Sequence, residues 1–307
     1  MHPLVARAVP ARALEQGFWT PEQRAAYARR LQVLISRAGR IEDETVRAMR
    51  RLLREGQRDT VERIAFAIRK AEEGGSTFDL ARIGSTIQEI EERLLELNEG
   101  AGRISRTAAE ETADVGRLLV DEPLRVALGT DILPAHQIPR STVAAASDFS
   151  ADLITRMTRD GIRRISAEIQ LGAIGVKDPR EVMEAVGRNL DDPSIFGSLA
   201  NRAEVITRTE LGRLQSLAGQ ARQEEALQVV RNLQKQWMWS GKARVSHAAA
   251  HGQIRDVYED YDVGGEKLMF PRDPKASAAN SINCGCSSLP YIGGLSEALP
   301  SIEQQAA

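Results

Sequence analysis

The sequence predicts a mainly α fold, in which a long helical body with coiled-coil-like hairpins is followed by a small α+β C-terminal domain. Three observations carry this expectation. Apolar residues recur at helical spacing over about the first 190 positions. Aromatic residues make up only 4% of the chain, so the core must be built from Leu, Ile, Val and Ala. Near position 234 the apolar pattern changes to period two.

At 307 residues the length suggests about two domains. With 42% hydrophobic and 27% charged residues, the chain has material for a packed core, which excludes a wholly disordered chain. A net charge of −2 excludes a polycation that coats nucleic acid, although a local basic face is still allowed. No uninterrupted apolar run approaches the ~18 residues of a membrane span, so no membrane partner is expected. Residues 1–19 hold Arg7 and Arg12 but no continuous apolar segment, so no secretory signal is expected. Two cysteines are too few for a disulfide framework, and with one residue between them a Cys284–Cys286 bond would be strained.

The first helix starts at Thr20. Its hydroxyl can cap, Pro21 fits the first helical position, and Gln23 completes a capping box. The helical pattern runs to about Gly56, and a second helix is expected over 58–72, ending at Gly74 and Gly75. Leu80, Ile83, Ile87, Ile90, Leu94, Leu97 and Ile104 then follow steps of three and four with one of seven. This seam is expected to pack on helices of the same chain rather than on a partner.

Pro123, Pro134 and Pro139, with Gly129 among them, are expected to break the helix into a connector, on which His136 reads as a surface histidine. Helices resume at about 148–172 and after Asp178-Pro179, where Glu181 suits the third helical position. Asp191, Asp192 and Pro193 end the latter. A long helix is expected from 195 to 234, rich in small residues such as Gly212, Ala218 and Gly219, which point to close packing. Short strands are expected at Lys235–Ser240, Lys267–Phe270 and Leu289–Ile292. The domains are accordingly 1–122, helical; 123–194, a Pro-containing connector with helices; and 195–307, the long helix, the α+β unit and a polar tail.

The last domain holds the candidate chemistry. In Ser246-His247-Ala-Ala-Ala-His251-Gly252, Ser246 suits an N-cap and Gly252 a stop, which would put the two histidines on one helical face. With Cys284 and Cys286 they would form a Cys₂His₂ set, the donor set of a closed structural zinc site. The alternative is two small buried cysteines and locally packed histidines. No zincin, deaminase, phosphate-loop or serine-elbow pattern occurs, so no catalytic residues are assigned and no enzyme is expected.

A family pattern then emerges from the order of the motifs. It runs Arg202-Ala-Glu204, Arg208-Thr-Glu210, Trp239, His247, Asp273-Pro274 and Asn283-Cys284-Gly-Cys286. Over about residues 195–292 this resembles the minor head proteins of tailed phages, the Mu F type. The chain has His251 where the family more often has an acid, Arg272 for glycine, and Gly285 for arginine. His251 as a ligand therefore rests on spacing alone, and the fourth ligand could instead be water, Asp273 or absent. The resemblance implies a structural protein, present in few copies inside the head near the portal vertex and in the host cytoplasm during assembly. Its partners would be the portal and other head or neck proteins, with contact to packaged DNA. Some relatives carry a toxin domain after this module, and the 21 residues after Cys286 are too few for one. The alternative is a metal-dependent enzyme acting on nucleic acid or protein, with Glu266 or Asp273 as base.

Overall fold

The computed structural model describes residues 19–73, 80–134, 198–241 and 244–296, with 143–145, 148–150, 152–154, 156, 163, 166–168, 170–171, 177 and 181. Helices α1 (Pro21–Glu73), α2 (Leu80–Leu128) and α3 (Ser198–Ala226) form the helical body. Then come β1 (Gln234–Met238), α4 (Val245–Ala249), β2 (Ile254–Asp256), β3 (Tyr261–Val263), β4 (Glu266–Leu268), α5 (Ala278–Ser281) and β5 (Ser287–Tyr291). The fold is mainly α with a small α+β part, as the sequence predicts.

The capping box forms. Gln23 N–H donates to Thr20 Oγ1 at 3.2 Å, and Thr20 N–H donates to Gln23 Oε1 at 3.0 Å. Gln23 Nε2 also donates to the Ala127 carbonyl in the last turn of α2, at 3.0 Å.

Two expected breaks do not occur. Gly56 lies inside α1, which runs on to Glu73. A Cβ at Gly56 would meet Leu97 Cδ1 at 2.1 Å, so the glycine serves the helix contact rather than ending a helix. Pro123 lies inside α2. It removes one backbone donor, and the surrounding turns are held by buried Leu119, Val120, Leu124 and Ala127. The helix ends at Gly129, whose φ of 72° lets its N–H reach the Arg125 carbonyl at 2.8 Å. His136, Pro139 and the 178–193 breakers lie outside the described residues, apart from Glu181.

Two compact units interleave along the chain, whereas the sequence reading divided it into consecutive segments. One gathers the described residues within Met1–Asp43, Ala108–Ala144 and Arg208–Ala307, the other those within Glu44–Thr107 and Ala145–Thr207. In the first, Tyr27, Leu31 and Leu34 of α1 and Val115, Leu119 and Leu124 of α2 share a core with Leu211, Leu289 and Ile292. Tyr27 Oη donates to the Pro290 carbonyl at 2.6 Å, tying α1 to β5. The small residues of α3 do allow close packing, since a Cβ on Gly116 would meet the Gln215 carbonyl at 2.6 Å and Ala218 Cβ at 2.8 Å. Arg222, almost fully buried, donates to Asp121 Oδ1 at 2.6 Å, Glu225 Oε2 at 2.7 Å and the Pro134 carbonyl at 2.8 Å.

In the second unit Met49, Leu53, Ala101, Ile154 and Ala203 form the core, and Ile104 packs on it. Leu97 is buried against Gly56, so this end of the seam packs within the chain as expected. The seam side chains Leu80, Ile83, Ile87, Ile90 and Leu94 lie outside the described ones.

The C-terminal sheet is antiparallel in the order β2-β1-β5, with Gln236 opposite both Ile254 and Leu289. Strands β3 and β4 form a separate hairpin. Its two-residue loop, Gly264-Gly265, has φ of 63° and 86°, which a type I′ turn requires at both positions. Among the described residues, no helix is long and apolar enough to cross a membrane.

Candidate metal centre

His247 on α4 and Cys284 and Cys286 on the loop before β5 come together in the interior of the small domain, and all three are buried. Both sulfurs lie 3.4 Å from His247 Nδ1, and both cysteines are free thiols. Ligands on a tetrahedral zinc sit about 3.5 Å apart, given Zn–S near 2.3 Å and Zn–N near 2.0 Å, so this donor set and its spacing fit a divalent metal. Among the described residues, no other His, Cys, Asp or Glu joins the group.

The histidine is oriented for the task. Asn280 Nδ2 donates to the Val263 carbonyl at 3.2 Å, which turns Oδ1 toward His247 Nε2 at 3.1 Å. Nε2 therefore carries the proton, and the Nδ1 lone pair faces the two sulfurs. Trp237 packs edge-on to the imidazole, with ring centroids 5.7 Å apart, and Tyr261 packs on Trp237 from 5.2 Å.

The two thiols share their protons unequally. Hydrogen bonding from Cys286 lowers the Cys284 pKa against the opposing effect of burial, and His247, the nearby Arg272 charge and the Cys286 N–H at 3.4 Å assist. The same interaction with Cys284, together with burial, raises the Cys286 pKa. A metal would take the place of the remaining thiol proton.

His251 does not take part, contrary to the sequence reading. Helix α4 ends at Ala249, so the two histidines do not share a helical face. His251 is exposed, and its Nδ1 accepts the Trp239 N–H at 3.2 Å. Ser246 is not the N-cap either. Arg244 holds that position, while Ser246 Oγ faces Asn280 Oδ1 at 3.5 Å. Gly252, with φ of 80°, does follow the helical turn as expected.

Asp273 is buried but turned to the backbone, accepting the Met269 and Lys275 N–H groups, each at 2.9 Å. Glu266 likewise binds Ser277, accepting its N–H at 2.8 Å and its hydroxyl at 2.5 Å. Pro274 is exposed. The Asp273 and Glu266 carboxylates thus hold loops.

Helix α3 supports the cysteine loop. Thr209 Oγ1 accepts the Asn283 N–H at 2.9 Å, where Asn283 has φ of 52°. Glu210 holds Arg213 through both carboxylate oxygens at 2.7 and 2.6 Å, and Arg213 Nε donates to the Arg272 carbonyl at 3.1 Å. Burial raises the Glu210 pKa against the pull of Arg213. Arg208 pairs with Glu42 at 2.7 Å and Asp43 at 2.9 Å. In the other unit, Glu204 pairs with Arg50, and Arg202 is exposed. Thr209, Gly212, Arg272 and Asn280 were not identified as site residues from sequence, because only the tertiary fold brings them to the cysteines.

Lys235 of β1 is fully buried. Its Nζ donates to the Met269 carbonyl at 2.7 Å and to Gln220 Oε1 at 3.3 Å. Burial lowers its pKa from 10.5 to about 8, against the attraction of Asp260, Glu224, Asp273 and Glu259. Between those two values the unfolded chain binds the proton that the folded chain has released, so this group's contribution to stability rises with pH. Below pH 8 its penalty is fully in force. Urea midpoints at about pH 7.5 and 9.5 are expected to show this rise in the native chain and to lose it in Lys235→Met. An unchanged rise in the variant would assign it to other groups.

No family model and no solved structure matches the chain. Over 96 residues it is 32% identical to NAD(+)–arginine ADP-ribosyltransferase EFV of Enterococcus faecalis, covering 31% of this chain and 20% of that protein. Over 64 residues it is 36% identical to the uncharacterized protein YqbB of Bacillus subtilis, covering 19% of this chain and 21% of that protein. The chain thus spans about a fifth of the length of these curated relatives.

Proposed function

We propose that this chain is a structural minor head protein of a tailed bacteriophage, bound at the portal vertex inside the head. It would assist head morphogenesis and the packaging or ejection of DNA. The observation that carries this is the convergence of the motif residues. Glu210 on α3, His247 on α4, the turn that carries Asp273 and the Asn283–Cys286 loop come from separate stretches of sequence and meet around one buried centre. Motifs that form one folded unit support a resemblance resting on their order. Zinc is the metal that two thiolates and an imidazole suit, as a staple that fixes the small domain while the helical body makes partner contacts.

The alternative is a metal-dependent enzyme acting on nucleic acid or protein. It is favoured by the enzyme name of one relative, of which this chain matches a fifth. Such an enzyme needs a base at the metal, and Glu266 and Asp273, the two candidates, are bound in turns. The partial match also suits a module shared between a structural protein and a longer enzyme.

Of the 41 basic residues only six are lysines, and arginine suits bidentate contacts to carboxylates and phosphates. With a net charge of −2, contact with protein is expected first and with DNA second. The deciding experiment is a density map and mass spectrometry of the purified virion neck. The protein is expected there in few copies, in complexes with the portal that survive moderate salt. DNA contact is expected to weaken steeply between about 50 and 200 mM salt. Absence from purified particles, together with normal virions after gene deletion, would defeat the proposal.

A further inference from the structure

Arg272 stands out beside the centre. It is almost completely buried and is held at φ 66°, a left-handed conformation unusual for a side chain of its size. Its guanidinium lies in a notch on α3 that only glycine leaves open, for a Cβ on Gly212 would meet Arg272 Cζ at 2.0 Å. Nη1 donates to the Cys286 carbonyl at 3.4 Å, and the buried Nε has no hydrogen-bond partner among the described residues. The neighbouring Glu210 carboxylate is already held by Arg213 through two hydrogen bonds.

A bound divalent metal would place its own charge close to this guanidinium. Two thiolates cancel the metal, an imidazole bound through Nδ1 adds no charge, and Arg213 pairs with Glu210. Asp273 faces backbone donors, and Lys235 is attracted by Asp260 and Glu224 ahead of Asp273. Among the described residues Arg272 forms no ion pair and keeps an unsatisfied Nε donor beside the cysteine loop, which is unfavourable in a buried site unless an anion joins it. Among the described residues three ligands meet, which leaves a fourth position on a tetrahedral metal.

We propose that Arg272 is a positioning residue of the His247–Cys284–Cys286 centre and makes the fourth ligand of its bound metal an anion, a step that rests on the metal reading above. The ligand class is a small inorganic anion, since the three donors and Arg272 are all buried.

The test uses the full chain loaded with cobalt(II) in place of zinc and titrated with azide. The thiolate-to-cobalt charge-transfer band reports in each variant that the centre is folded and loaded, and the d–d bands report the fourth ligand. Azide is expected to shift the d–d bands of the native chain. Arg272→Met is expected to weaken azide binding at least about tenfold, as an electrostatic partner within a buried site should. Arg272→Lys should stay within about threefold of the native chain, because the charge is kept. Gly212→Ala should match Arg272→Met by expelling the guanidinium, and the double variant should be no weaker than either, as expected of two changes that remove one interaction. A native chain without the charge-transfer band overturns the metal reading itself. A loaded centre that ignores azide, or binds it equally with and without Arg272, overturns this inference alone.

Discussion

Stripping the metal from zinc-loaded protein with a chelator is expected to lower the melting temperature by about 10 °C, and Cys284→Ser is expected to abolish that response. The three ligands join α4 to the loop before β5, so a metal there cross-links segments that otherwise meet only through packing. Zinc supplies about 10 kcal/mol or more in peptides that cannot fold without it. Here Trp237, Tyr261, Val263 and Leu268 already form a core around the site, so most of the domain is organised before the metal arrives. A contribution of about 3–5 kcal/mol, at roughly 2–4 °C per kcal/mol for a domain of about 150–250 residues, gives the stated shift. Calorimetry with and without chelator measures it. Less than about a tenth of an equivalent of zinc in metal-replete protein, with an unchanged melting temperature, would leave the cysteines as packing residues.

Arg222→Ala is expected to destabilise the protein by about 3–5 kcal/mol, read from urea denaturation. The guanidinium is only 2% exposed and neutralises Asp121 while also binding Glu225 and the Pro134 carbonyl. Truncation leaves a half-buried carboxylate without its closest cation and strands the carbonyl. Arg117 still reaches Asp121 Oδ2 at 2.7 Å, which sets the expectation below the largest values known for buried pairs. Replacing both members, Arg222→Met with Asp121→Leu, should recover much of the loss, because well-packed apolar residues often equal a buried ion pair. A loss below about 1 kcal/mol for Arg222→Ala would show that the pair contributes little.

What the sequence disclosed was local. The Thr20–Gln23 box is a short-range pattern with a single geometry, and it formed as read. The period-two stretch marked β1 to within two residues at its end. The misreadings arose where a long-range contact overrode a local rule. Gly56 is a breaker by propensity, yet Leu97, far along the chain, occupies the space its side chain would need. Pro123 is a breaker by the same local rule, yet buried leucines on both sides keep the helix going.

At the site, the cysteines and His247 were legible because metal donors are rare residue types at tight spacing. His251 stays outside the group because a spacing of four places residues on one face only while the helix lasts, and α4 stops at Ala249. Asn280 and Arg272 were illegible as site residues. Neither carries a donor pattern, and each acts through a residue more than thirty or just over ten positions away.

Gln23 belongs to two helix ends at once. Its oxygen closes the first turn of α1, and its nitrogen caps a terminal carbonyl of α2. Helix ends ordinarily fray independently, each losing its last hydrogen bonds on its own. Here one amide group serves as a shared latch, so opening either end removes a bond from the other. The entry of the first helix and the exit of the second are thereby made a single cooperative event, and protection against hydrogen exchange at the two ends should rise and fall together.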